Sequence, residues 1–224
     1  MSGREQILGK IRQQIGGDEA DTKRRAAVAN RLSNGPRGVI PKRGQLPHPQ
    51  QIDLFCSQAE AVQSSVVRVV SYKQIPETIA EFLRANNLPS TLRMGEDDRL
   101  ANVPWDAVPN LERAIGAAIE TDTTGLSHAM SGVAETGTLV LTSGNDNPTS
   151  VNFLPENHIV VIQAKDIVGD YETALDHIRK TEGKGRMPRT INMITGPSRS
   201  GDIEQTMLLG AHGPRKLHII VVDG

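Results

Sequence analysis

Hydrophobic and polar positions change their period along this chain, and each change marks an element. At the amino-terminal end Ile7, Leu8, Ile11 and Ile15 recur at helical spacing behind Ser2, a candidate N-cap, and Gly16-Gly17 stops the run. A second, more charged helix is predicted from Asp18 to Leu32. Asn34 to Pro49 then holds four prolines and three glycines, too many for a regular element. Residues 1–50 therefore read as a helical arm with an extended Pro/Gly-rich strap, and residues 51–224 as an α/β domain. The strap is expected to pack on that domain or on a neighbouring subunit, which makes a homo-oligomer one expectation. Its Arg37, Lys42 and Arg43 read most simply as a solvated basic loop.

From Gln50 onward the pattern alternates. Ile52 to Gln63 has helical spacing, and Ser65 to Val70 is a β-branched strand. Pro76 to Asn86 is an amphipathic helix with Ile79, Phe82 and Leu83 inward. Thr91 to Met94 is a short strand, and Asn102 to Asn110 is looser, with Trp105 at the core edge. Ala114 to Glu120 fits strand and helix equally by pattern. Gly125 to Val133 reads as a short helix, Thr138 to Thr142 and His158 to Gln163 as strands, and Tyr171 to Lys180 as a helix. The final stretch supplies a strand at Ile191–Ile194, a polar turn from Thr195 to Gly201, a helix from Asp202 to Leu209, and a buried strand at Leu217–Val222. Strands and helices in turn predict an α/β fold: a mostly parallel, Rossmann-like sheet with helices on both faces.

Composition narrows the function classes. A formal charge of −1 with the signs interspersed gives no global field for nucleic acid or anionic lipid. Three Phe, two Tyr and one Trp leave little surface on which bases stack, so nucleic acid is not expected as a partner. Cys56 is the sole cysteine, so neither an internal disulfide nor a thiolate-bound cluster fits this chain, and Cys56 reads as a small apolar helix residue. With no apolar run approaching 18 residues and no signal-peptide pattern at Met1–Gly17, a cytoplasmic protein without a membrane span is expected.

Candidate chemistry gathers at two turns. In the last one Ser198, Arg199, Ser200 and Gly201 stand beside a predicted helix start, where free N–H groups, the helix dipole and a guanidinium favour an anion. Asp202 and Gln205 form a capping box, which explains the serines and Asp202 without a ligand but leaves Arg199 and Glu204 unexplained. His212 falls at the far end of that helix, about 12 Å from Ser198, and is expected to be structural or at an interface. The other turn is Ala134-Glu135-Thr136-Gly137-Thr138. Its Glu135 is a candidate general base or acyl-accepting nucleophile, or else a carboxylate held by backbone N–H groups or by Arg199. His128 precedes Glu135 by seven residues and is a candidate proton carrier, while His158 is expected to be structural. No metal-ligand spacing, dinucleotide fingerprint or P-loop is present.

Two long motifs, Gly-Val-Ala-Glu-Thr-Gly-Thr-Leu-Val-Leu at 132–141 and Gly-Pro-Ser-Arg-Ser-Gly-Asp-Ile-Glu followed by Leu-Gly-Ala-His-Gly-Pro at 196–214, resemble the LUD-domain family in its lactate utilization protein C branch. The resemblance covers roughly residues 60–224. It implies a fold like that of the ribose-phosphate isomerase, CoA-transferase and formyltetrahydrofolate cyclo-ligase group, and favours strand at Ala114–Glu120. It also implies a part in oxidising L-lactate to pyruvate together with iron–sulfur partner proteins, the clusters lying on those partners and no cofactor on this chain. The expected site then has Glu135 and His128 in catalytic roles, with Thr136, Gly137, Ser198, Arg199, Ser200, Gly201, Asp202 and Glu204 binding a small carboxylate or a phosphate-bearing ligand. A stand-alone acyl- or CoA-transferring or cyclo-ligase-like enzyme, and a non-catalytic ligand-binding scaffold, are the alternatives.

Overall fold

A run of uncharged β-branched residues is stable only where both of its faces leave water, and that requirement organises this protein. The computed structural model describes residues 3–14, 22–35, 37–183, 185–201, 207–210 and 212–224. The chain divides into two units, Met1–Val39 and Ile40–Gly224. The first holds helices α1 (Gly3–Gln14) and α2 (Thr22–Asn34), and neither has a buried residue. The expected cap Ser2 and the Gly16-Gly17 stop lie outside the described residues.

The second unit runs α3 (His48–Ala61), β1 (Ser65–Val69), α4 (Ile75–Ala85), β2 (Thr91–Met94), α5 (Asp98–Ala101), β3 (Glu112–Ile115), β4 (Thr124–His128), β5 (Ser131–Val133) and β6 (Thr138–Thr142). It continues with α6 (Thr149–Phe153), β7 (Asn157–Gln163), β8 (Ile167–Val168), α7 (Tyr171–Glu182), β9 (Ile191–Ile194), β10 (Arg199–Gly201), β11 (Met207–Leu209) and β12 (Lys216–Val222). Six strands form one wholly parallel sheet in the order β1-β12-β7-β4-β2-β3. Alternate residues of its central strands feed two cores. Ile159, Val161, Ile220 and Val222 pack with Ile75, Ile79 and Leu83 of α4 and with Trp105, whose indole N–H donates to the Leu100 carbonyl at 2.8 Å. Val160, Ile162, Ile219 and Val221 pack with Phe55 and Ala59 of α3 and with Leu139 and Leu141 of a second sheet. The α/β fold with helices on both faces of a parallel sheet is thus present.

The second sheet, order β8-β5-β6-β9, is mixed, with antiparallel β5–β6 and β6–β9 pairs and a parallel β5–β8 pair. Helix α7 seals it through Ala174 and Ile178 against Val133 and Val140. The helix expected at Gly125–Val133 is instead strand β4 of the parallel sheet, a two-residue turn and strand β5 of the second sheet. Every residue from Thr124 to Val133 except Met130 is buried, and that uniform burial hides the period-two alternation that would have identified strands.

The helix expected at Asp202–Leu209 is also corrected. Met207–Leu209 is strand β11, paired antiparallel with β10, while residues 202–206 lie outside the described residues. An apolar triplet such as Met-Leu-Leu is too short for its period to separate helix from strand. At Ala114–Glu120 the strand ends early, at Ile115.

Candidate functional site

Parallel sheets bind ligands most often beyond the carboxyl ends of two neighbouring strands whose onward connections leave in opposite directions. Here those strands are β2, whose chain goes on to β3, and β4, whose chain returns toward β7. His128 is the last residue of β4, and Asp97 and Arg99 follow β2. Asp97 caps α5 by accepting from the Arg99 backbone N–H at 2.8 Å, and its carboxylate also accepts from the Arg99 guanidinium, Nε to Oδ1 at 2.9 Å. Burial alone would raise the Asp97 carboxyl, but the Arg99 hydrogen bonds and charge hold it below its ordinary value. His128 is buried, and burial followed by the Arg99 charge lowers it to about 4. Burial raises Tyr72 to about 12. The neutral phenol therefore donates to Nε2 of the neutral His128 at 2.6 Å, and Nδ1–H donates to the Ala129 carbonyl at 2.8 Å. Every polar atom of His128 is engaged.

The terminal motif builds a different site. A cavity of about 250 Å³ lies at the amino ends of β7 and β12, and Thr195 to Arg199, His212 to Pro214, Asn152, Phe153 and His158 contribute to its wall. The Ser198 backbone is tied into the returning chain, its N–H donating to the Pro214 carbonyl at 2.8 Å and its carbonyl accepting from Gly210 N–H at 3.0 Å. Ser198 Oγ accepts from the His212 backbone N–H at 3.3 Å. His212 and Ser198 therefore line one cavity, contrary to the expected separation of about 12 Å. That estimate assumed a helix between them, whereas β10 and β11 fold the chain back on itself. The helix dipole expected beside Ser198 is likewise absent from the described residues, and the Ser198 N–H is already used. What remains for an anion is the cation of Arg199, a residue of the cavity wall whose guanidinium donates to the Val62 carbonyl at 3.1 Å. Ser200 and Gly201 sit in β10, and Asp202 and Glu204 lie outside the described residues.

Behind that cavity three side chains form a hydrogen-bond relay. Ser127 Oγ donates to Asn152 Oδ1 at 2.8 Å. Having given its one proton, the same oxygen accepts from Nε2 of His158 at 3.0 Å. Burial lowers His158 to about 3, so the ring is neutral and its Nδ1 carries a lone pair. That Nδ1 and the Asn152 Nδ2 have no hydrogen-bond partner, although both side chains are completely buried.

Glu135 lies in the β5–β6 turn. It is 3% exposed, its backbone N–H donates to the Gly169 carbonyl at 3.2 Å, and its Oε2 has no partner. Among the described residues it forms no ion pair with Arg199 and does not line the 250 Å³ cavity. A chain of hydroxyls connects the two places. Thr138 Oγ1 is hydrogen-bonded to Thr136 Oγ1 (2.7 Å), Tyr171 OH (2.8 Å) and Thr195 Oγ1 (2.7 Å), and Thr195 belongs to the cavity wall. Gly137 takes φ +66° and presses on α3, where an added Cβ would stand 2.3 Å from the Ala59 nitrogen. His128 is remote in role from this turn, since its ring is spent on Tyr72 and Ala129.

The sequence grouped Glu135 with Ser198 and Arg199 in one expected site; the structure places Ser198 and Arg199 at the cavity and Glu135 outside its wall, and it adds Ser127, Asn152 and His158, which the expected site did not include. His158 was set aside because it opens a strand at the less common ligand edge. That rule applies to turns following strands of the parallel sheet, and the turn here follows β9, which belongs to the second sheet. Among the described residues no cluster of three His, Cys, Asp or Glu is arranged to hold a metal, and no helix is long and apolar enough to cross a membrane.

Comparison with known proteins gives a consistent picture. The family model described as LUD domain matches residues 52–222. Proteins named lactate utilization protein C are similar to the chain. The one from Shouchella clausii (strain KSM-K16) is 45% identical over 91 residues, which is 41% of this chain and 40% of the relative. That from Bacillus subtilis (strain 168) is 39% identical over 120 residues, 53% of this chain and 49% of the relative. In Oceanobacillus iheyensis the match is weaker but longer, 28% over 188 residues, covering 77% and 79%. The chain thus spans about half the length of most of the curated relatives it matches. A crystal structure of a DUF162 family protein from Deinococcus radiodurans superposes with a TM-score of 0.58 at 21% identity, over 79% of this chain and 99% of that one, a likeness of fold alone.

Proposed function

Since the chain belongs to the LUD domain family, we propose that it serves L-lactate utilization, as a subunit that binds a small carboxylate while iron–sulfur partner proteins carry the electrons. The observation that carries this reading is the convergence of Gly196-Pro197-Ser198-Arg199 and His212-Gly213-Pro214 on one small cavity of mixed polar and apolar lining, with Arg199 in its wall. About 250 Å³ suits a metabolite of a few heavy atoms better than a dinucleotide. Oxidation of L-lactate to pyruvate removes two electrons and two protons from the carbinol group. A chain whose only cysteine is Cys56 offers no thiolate set for a cluster, so those electrons leave through partner proteins.

Isothermal calorimetry against L-lactate, pyruvate, phosphate and CoA tests the binding half. L-lactate should bind, and Arg199→Ala should weaken it roughly tenfold or more, because a charge-assisted hydrogen bond is lost. Lactate oxidation reconstituted from cluster-bearing partner proteins should require this chain, and turnover without it would remove the subunit role.

The unpartnered, buried Oε2 of Glu135 favours a second reading, acyl transfer through a glutamyl anhydride. Incubation with acyl-CoA followed by mass spectrometry would reveal an adduct that Glu135→Gln abolishes. Absence of any adduct would leave Glu135 a structural carboxylate.

A further inference from the structure

A second cavity, of about 410 Å³, opens between α4 and the amino ends of β1 and β12, and it shares only Leu217 with the smaller one. That volume falls in the range of small-molecule sites, which combine an apolar lining with a few placed polar groups. Val67, Phe82, Ala85 and Leu217 supply the apolar part. Lys216, a residue of the same wall, is held in place: its Nζ donates to Asn86 Oδ1 at 2.6 Å, and among the described residues no carboxylate pairs with it. An ammonium has three N–H bonds, so two are left over. The exposed Ser65 is fixed as well, its hydroxyl hydrogen-bonded to His218 Nδ1 at 2.8 Å, and the His218 ring stacks on Phe82 with centroids 4.3 Å apart. Arg215 adds a second cation to the wall, against the single carboxylate of Glu81.

Gln63, on the same wall, is an unusual residue for its backbone. It follows the C-cap of α3 with φ 71°, the left-handed conformation that closes many helices and that glycine adopts without strain. Asn87, the other non-glycine residue at positive φ among those described, is of a type that tolerates this conformation. Glutamine is not. Core packing does not account for it, because Gln63 is exposed, and its side-chain amide has no hydrogen bond among the described residues. A strained residue kept where glycine would serve points to a task for its side chain.

We propose that this cavity is a second binding site, for an anion with an apolar body: a carboxylate or a phosphate monoester carried on a hydrocarbon or aromatic group. Lys216 receives the charge through its remaining N–H groups, Gln63 donates an amide N–H to a second oxygen, and the apolar lining around Phe82 takes the body. The site is distinct from the cavity assigned to a small carboxylate above and does not rest on that reading.

Calorimetry on the full chain with benzoate, phenyl phosphate, benzyl alcohol and inorganic phosphate tests this, repeated on Lys216→Gln, Gln63→Gly and Arg199→Ala, each checked by thermal melting. Benzoate or phenyl phosphate is expected to bind at least about tenfold tighter than benzyl alcohol, which lacks the charge, and than inorganic phosphate, which lacks the body; the tighter of the two anions names the head group. Lys216→Gln is expected to weaken that binding roughly tenfold. Gln63→Gly is expected to weaken it too while melting no lower than the parent, a combination that a merely structural glutamine would not give. Arg199→Ala is expected to bind as the parent does. Failure of both aromatic anions to bind overturns the site, and so does benzyl alcohol binding equally well. Parental affinity in Lys216→Gln or Gln63→Gly overturns the assignment of the anion to this wall, and loss of binding in Arg199→Ala moves it to the smaller cavity.

Discussion

At the scale of single residues this protein keeps three of its six histidines dry, His128, His158 and His218, and each of the three is held by a hydroxyl. Tyr72 gives its proton to His128, Ser127 accepts from His158, and Ser65 bonds Nδ1 of His218 at 2.8 Å while Phe82 stacks on the same ring with centroids 4.3 Å apart. Removing such a hydroxyl strands a buried nitrogen. Tyr72→Phe should accordingly cost about 1–3 kcal/mol of stability, most of it the desolvated Nε2 of His128. Urea unfolding of the variant measures this directly, and an unchanged midpoint would mean that water replaces the phenol. Residue identity was legible in the sequence at Ser198 and Arg199, because a polar turn between apolar runs stands out. The relay was not, since Ser127, Asn152 and His158 are scattered through segments that otherwise read as core, and only the β4–β7 register, which pairs Gly125 with His158 and Ser127 with Val160, makes Ser127 and His158 diagonal neighbours on adjacent strands.

Elements were easier to foresee where one face meets water. The helix α4 and the strand β2 fall within a residue of their expected bounds, because Ile79 and Leu83 recur at helical spacing and Thr91–Met94 alternates exposed with buried. Burial erased the signal elsewhere. Leu126, Ala129, Met130 and Val133 are spaced as on one face of a helix, yet they belong to two strands and their turn, because both surroundings are apolar and pattern no longer reports orientation. The β5–β6 turn gives an element-scale prediction. Gly137→Ala forces a side chain into a left-handed conformation and against the α3 backbone, and should cost on the order of 3 kcal/mol. Hydrogen exchange should show the loss concentrated in β5, β6 and α3. A variant as stable as the parent would mean that the turn moves off the helix at little cost.

For the whole molecule the dry histidines set an acid limit. His128 and His218 are lowered to about 4 and His158 to about 3, mainly by burial, whereas an unfolded histidine titrates near 6.5. Between those values the unfolded chain binds more protons than the folded one. Stability is therefore fully present above about pH 6.5 and falls as the pH drops toward 4, with a slope of up to about 1.4 kcal/mol per pH unit for each histidine. Denaturant midpoints at pH 7, 6 and 5 should decline steadily, and a flat series would exclude these histidines as the cause. His218→Gln should flatten the decline.

The position of β12 has a consequence for how the protein is made. It follows every other strand in sequence, yet it lies inside the sheet between β1 and β7, and Ser65 meets His218 across a separation of 153 residues. On a ribosome adding roughly 5–20 residues per second, β1 emerges about 8–30 s before the strand it needs. During that interval the nascent chain displays two open, apolar strand edges of the kind that recruits other chains. Its exposure to aggregation is a matter of translation speed and chaperone access, through edges that the folded protein never presents.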